Sequence, residues 1–140
     1  VSAMKVDKEI RLSWTGSGLV FDGGAVDGPQ IVVDGDFATG PSPMDLVLLA
    51  TAACMAIDVK VILDKGRVPF DSLDVTAQGE RREDPPRHYK AVRLVFNVTG
   101  VPPGSRSKVD RAVELSREKY CSVLFSLRED LALEIVTEGG

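Results

Sequence analysis

Residues 46–57 carry Thr51 as their only polar side chain, and this run is the longest apolar stretch in the chain. The residues before it read as a helix start: Ser42 offers a capping hydroxyl, Pro43 suits the first helical position, and Asp45 places an acid at the third. A helix is therefore predicted to begin near Pro43. Gly66, with Lys65 before it and Arg67 and Pro69 after it, predicts the stop, the glycine taking the left-handed cap and the cations suiting the negative end of the dipole. A helix apolar on every face has to be buried on every side.

On either side of that helix the pattern changes to alternation. Lys8 to Trp14 alternates Ile10, Leu12 and Trp14 with polar neighbours, the period of a half-buried strand. Gly16 and Gly18 permit a turn into a short strand, Leu19 to Phe21, and Gly23, Gly24, Gly28 and Pro29 separate it from a third, Gln30 to Val33. These three predict an antiparallel meander. Asp34 to Pro43 reads as a loop. After Gly66, Leu73, Val75 and Ala77 mark a strand from about Asp71 towards Arg82, and Val92, Leu94, Phe96 and Val98 mark another. Pro85 and Pro86 force a turn between them and predict a hairpin. Ser105 or Ser107 can cap a helix whose Val109, Ala112, Val113, Ser116 and Tyr120 share one face. Cys121 follows, then a short helical pattern through Val123, Leu124, Phe125 and Leu127, and a closing strand from Leu131 to Val136.

This order predicts an α+β chain with mostly antiparallel strand pairs and a long buried central helix. At 140 residues it is read as one domain, 1–140. A helix apolar on all faces has more surface than one small sheet and two short helices cover, which predicts a homodimer.

Composition narrows the function. With 44% hydrophobic and 27% charged residues, the chain reads as an ordinary soluble protein. The apolar run, flanked by Asp45 and Asp58, reads as too short to cross a bilayer. Val1 to Met4 lack the basic run and apolar core of a signal peptide, so the expected address is cytoplasmic. A net charge of -4 supplies no general basic field, and nucleic-acid binding is not expected. One histidine, His88, and two cysteines make a four-ligand zinc site unexpected, and no cofactor is implied.

The two cysteines, Cys54 and Cys121, are 67 positions apart, outside any short dithiol or metal motif. Each has a plain reading as a small buried hydrophobe. Each also has a chemical one. Desolvation opposes a thiolate at Cys54, so a reactive Cys54 needs a nearby cation, while Cys121 falls at a junction of two helical segments, where a thiol can be more accessible and can feel a helix N-terminus. Two thiols without other redox groups fit a cycle in which one is oxidised to sulfenic acid and the other condenses with it to a disulfide. Asp45 reads first as a capping residue and second as a base or an orienter of an arginine. His88 would matter if it lay beside Cys54, as a cysteine hydrolase requires.

Residues 40–58, Gly-Pro-Ser-Pro-Met-Asp-Leu-Val-Leu-Leu-Ala-Thr-Ala-Ala-Cys-Met-Ala-Ile-Asp, together with Glu118-Lys119-Tyr120-Cys121-Ser122-Val123, resemble the OsmC/Ohr family. Gly79 to Glu83 followed by Pro86-Arg87 resembles its YhfA-like branch. The resemblance implies an OsmC-like fold in an intertwined homodimer with long central helices back to back. It also implies a thiol peroxidase that reduces organic hydroperoxides in oxidative stress defence. In that reading Cys54 attacks the peroxide, Cys121 resolves it, and a dithiol or lipoylated protein is the reductant. Peroxidase members carry a glutamate ten positions before the reactive cysteine, orienting an arginine from an N-terminal strand. Here that position is Met44, with Asp45 one place and roughly 100° further round the helix. Arg11, the one arginine before the central helix, and Arg87 are the candidate cations. The rival reading is an OsmC-like protein that binds a small ligand without turnover.

Overall fold

The structure is a computed structural model, and it describes residues 3–139. Val1 and Ser2, part of the segment read for a leader, lie outside the described residues, as does Gly140. The chain forms two compact units, one up to Val47 and one from Leu48 onward.

The first unit is the expected meander: β1 (Ile10–Trp14), β2 (Val20–Ala25) and β3 (Gln30–Asp34), each antiparallel to the next. Gly23 and Gly24, expected to end the second strand, lie inside it. Their reason is close approach: a Cβ on Gly23 would stand 2.8 Å from Leu12 Cδ1, and one on Gly24 would stand 2.1 Å from the Pro29 carbonyl oxygen. The register sets Ile10 opposite Ala25, Leu12 opposite Gly23 and Trp14 opposite Phe21, with Ile31 and Val33 beyond. One face of this sheet is therefore apolar. Much of it is exposed, including Ile10 at 68%, Leu12 at 52% and Trp14 at 60%. Asp34, at the end of β3, is buried and organises the loop that follows. Its carboxylate accepts from the backbone N–H of Asp36 (2.8 Å), Ala38 (3.2 Å) and Thr39 (3.0 Å) and from the Thr39 hydroxyl (2.9 Å).

Helix α1 (Pro43–Lys65) starts where its sequence asks. Ser42 and Asp45 form a reciprocal capping box: the Asp45 N–H donates to Ser42 Oγ (3.2 Å), and the Ser42 N–H donates to Asp45 Oδ2 (3.0 Å). The C-terminus differs from expectation by one residue. Gly66 still donates to the Ile62 carbonyl in helical fashion, and Arg67, with φ of 56°, takes the left-handed position. Val68 then donates back to the Leu63 carbonyl, and the two buried side chains accompany that closing bond. At 23 residues α1 is long and apolar enough to span a bilayer by length and composition, contrary to the length argument from residues 46–57 alone. Nor does its own chain bury it on every side. Thr51, Ala52, Met55, Val59 and Leu63 are buried, whereas Leu49, Ile57 and Val61 are 57%, 63% and 44% exposed.

The second unit holds the core. β4 (Ser72–Arg81) and β5 (Tyr89–Thr99) make the expected hairpin, and β6 (Ala132–Glu138) pairs with β5 in parallel, giving the order β4-β5-β6. Central β5 buries Val92, Leu94, Phe96 and Val98, which cluster with the inner residues of α1 and with Val109, Ala112 and Val113 of α2 (Arg106–Leu115). Ser105 precedes α2 but makes no side-chain cap bond. Arg106 instead ties two strand ends, its guanidinium donating to the carbonyls of Val98 (2.6 Å) and Glu138.

Candidate functional site

Two local devices carry Cys121 to its place. After α2 the chain makes one turn of π-helix, Ser116–Tyr120, closed by the Cys121 N–H donating to the Ser116 carbonyl at 2.9 Å. The wider turn holds an extra residue, so Tyr120 leaves the face it was expected to share with Val109, Ala112 and Val113 and is 56% exposed. Cys121 then becomes extended and caps α3 (Ser122–Ser126), its sulfur accepting from the Leu124 N–H at 3.3 Å.

Here the thiols meet. Cys54 lies close enough to act on the Cys121 thiol, so residues 67 positions apart in sequence form one pair of free thiols. Of the two readings of Cys121 the buried one holds: Cys121 is fully buried, and Cys54 is half-buried. Burial pushes the Cys121 thiol from 9.0 up to about 11; the Leu124 N–H pulls it down, and Cys54 and the charge of Asp58 add to the rise. At neutral pH Cys121 is therefore a thiol, and Cys54 is the sulfur a reagent can reach.

Asp58 and Ser116 complete the cluster, and neither was singled out from the sequence. Asp58 lies four residues, one helical turn, beyond Cys54 on α1. The hydroxyl of the fully buried Ser116 donates to Asp58 Oδ2 at 2.8 Å. Their signals were legible in principle: an acid one turn from the thiol in an apolar helix, and a serine at a core position of the next helix. Beside them a cavity of about 450 Å³ is lined by Asp58, Val61, Ile62, Lys65, Leu115 and Tyr120.

Each of the other candidates has a described place of its own. Asp45 is engaged in the capping box with Ser42. Arg11 lies on β1 of the first unit and is exposed; the strand alternation sets it on the face opposite Ile10 and Leu12. Arg87 is exposed at the β4–β5 turn, its Nε donating to the Arg82 carbonyl at 3.3 Å. His88 precedes β5, and its charge acts on Asp130. The groups that act on Cys121 are Leu124, Cys54 and Asp58.

The mixed α+β order, with its antiparallel pairs and long core helix, defines an OsmC-like fold. The chain belongs to that family: the profile described as OsmC-like protein matches residues 34–136. It is 43% identical over 122 residues to Protein YhfA of Escherichia coli (strain K12), a match covering 86% of this chain and 90% of YhfA. The crystal structure of a hypothetical protein from Aquifex aeolicus VF5 aligns with a TM-score of 0.83 at 31% identity, covering 98% of each chain. The Organic Hydroperoxide Resistance Protein OhrB of Bacillus subtilis aligns with a TM-score of 0.64 over 95% of this chain and 98% of its own. At 17% identity that likeness concerns the fold alone.

Proposed function

We propose that the chain is a cytoplasmic thiol peroxidase that reduces organic hydroperoxides in oxidative stress defence. The observation that carries this reading is that two free thiols, Cys54 and Cys121, lie close enough for one to act on the other. The half-buried Cys54 attacks as thiolate; the peroxide O–O bond breaks, the near oxygen stays on sulfur as sulfenic acid, and the far oxygen leaves as alkoxide and is protonated to the alcohol. Cys121 then attacks the sulfenic acid, forming the disulfide and releasing water. A dithiol or lipoylated protein reduces the disulfide by exchange. Arg11 and Arg87 are the candidates for the cation that favours the Cys54 thiolate.

The family match crosses the boundary between the two units, which supports treating 1–140 as one OsmC-like domain. The uncovered apolar faces of β1 and α1 support an intertwined homodimer as the working form. Membership of the OsmC-like family and the name of the Bacillus subtilis fold relative support hydroperoxide chemistry. Purified protein should consume tert-butyl hydroperoxide with a dithiol reductant, and Cys54→Ser should abolish turnover. Equal inertness of wild type and Cys54→Ser would end the peroxidase reading.

One observation favours the ligand-binding alternative. Met44 occupies the position where the resemblance places a glutamate, and the adjacent Asp45 is committed to the cap. In that case native mass spectrometry finds a copurified small molecule, and both thiols stay reduced under hydroperoxide.

A further inference from the structure

We propose that Asp58, held by Ser116, is the proton relay of the disulfide-forming step. The assignment rests on the Cys54/Cys121 cycle proposed above and deepens it.

In that step the Cys121 sulfur attacks the sulfur of Cys54 sulfenic acid. An S–S bond forms, the S–O bond breaks, and the oxygen leaves with the electron pair. Two proton problems arise together: Cys121 has to lose a proton, and the departing hydroxide has to gain one. Cys121 is fully buried, so bulk water does not serve it, and at about 11 a free thiolate is scarce. Asp58 is the carboxylate whose charge reaches Cys121, and it lies one turn along α1 from Cys54. By taking the Cys121 proton and passing it to the leaving oxygen, it releases one water and ends as it began. No free thiolate or hydroxide forms.

Ser116 fixes the geometry. Its buried hydroxyl holds Asp58 Oδ2 at 2.8 Å, and its carbonyl accepts from the Cys121 N–H at 2.9 Å, so one residue positions both relay and thiol. A serine and an aspartate that only joined α1 to α2 would serve stability alone, and a bare negative charge beside a thiol would only suppress the thiolate. These three roles differ in the sign of their kinetic effect.

The test uses reduced full-length protein and 5,5'-dithiobis(2-nitrobenzoate) in stopped flow. The first nitrothiobenzoate is released when Cys54 takes the label; the second is released when Cys121 displaces the label from Cys54, which needs no peroxide. In Asp58→Asn the second release should slow about a hundredfold, the lower end of general-base contributions. Asp58→Glu should recover part of the rate, and Ser116→Ala should fall between wild type and Asp58→Asn. An unchanged rate in Asp58→Asn overturns the relay, as does acceleration, the outcome for a charge that merely suppresses the thiolate. Should Asp58→Asn not fold, Ser116→Ala decides: a second release within twofold of wild type overturns the proposal.

A parallel arm with tert-butyl hydroperoxide and dimedone separates the two readings. Asp58→Asn should accumulate a Cys54 sulfenate adduct that wild type converts to disulfide. Failure of wild type to form either species breaks the peroxidase reading, while the label-release rates still decide whether Asp58 moves the Cys121 proton.

Discussion

The two three-stranded sheets of this chain are built from similar alternating strands and meet opposite fates. In the second unit, β5 presents Leu94, Phe96 and Val98 at 0% exposure, covered by α1 and α2 residues of the same cluster. In the first, β1 presents Ile10, Leu12 and Trp14 by the same period of two, and all three are more than half exposed. Alternation therefore marks which face is apolar but does not supply its cover. The outer side of α1, with Leu49, Ile57 and Val61, shares the condition of the first sheet. Large exposed apolar patches are a general mark of interaction surfaces on soluble proteins. The second sheet is covered by its own chain, whereas the apolar face of the first stays largely exposed.

The contrast can be broken most directly by truncation. Phe96→Ala removes a fully buried ring from β5 and should cost about 3–5 kcal/mol, because transfer and cavity terms both act. Leu12→Ala in a monomeric protein should cost well under about 1 kcal/mol, the range of exposed positions. Urea titrations of both variants check this. Equal losses at protein concentrations too low for association would mean that Leu12 is covered within its own chain.

A sharper version concerns association. If a second copy covers these faces, Ile57→Asp or Leu12→Asp places an unpaired carboxylate in a desolvated interface, a penalty of several kcal/mol. Sedimentation equilibrium should then find wild type as a dimer and each variant with dissociation at least a hundredfold easier. A wild-type monomer at high micromolar concentration would leave the first sheet without the proposed cover.

Local signals were legible in the sequence where one residue's chemistry decides the outcome. Ser42, Pro43 and Asp45 fixed the start of α1 because a capping box is complete within four residues. The hairpin of β4 and β5 was legible because both alternation and the proline turn agree. Gly23 and Gly24 were misread because a glycine that breaks a strand and a glycine that admits a neighbour's Leu12 or Pro29 look alike in one dimension. The π turn before Cys121 has no signature in a 3.6 period, so Tyr120 was set on the wrong face and the sequence could not choose between a buried and an accessible Cys121. The candidate site divided the same way. The two cysteines were visible from rarity, whereas Asp58 and Ser116 acquire meaning only when α1 and the π turn meet.

The smallest expected effect tests whether the first unit has any internal anchor of its own. Asp34 is the buried polar group at the end of its sheet, and the N–H donors of Asp36 and Thr39 hold its carboxyl below the ordinary 3.8, against a smaller opposing effect of desolvation. A carboxyl with a lowered folded pKa stabilises the fold above its unfolded value, and that contribution is lost as pH falls from 3.8 through the folded value, where both states are protonated. Wild type should therefore lose urea resistance across that acid window. Asp34→Asn keeps the side chain's shape but offers one acceptor oxygen in place of two, so it should start lower at pH 7 and show a shallower acid limb. Parallel acid limbs in the two proteins would mean that Asp34 contributes nothing to the pH response. The first sheet would then depend for its stability on whatever covers Ile10, Leu12 and Trp14.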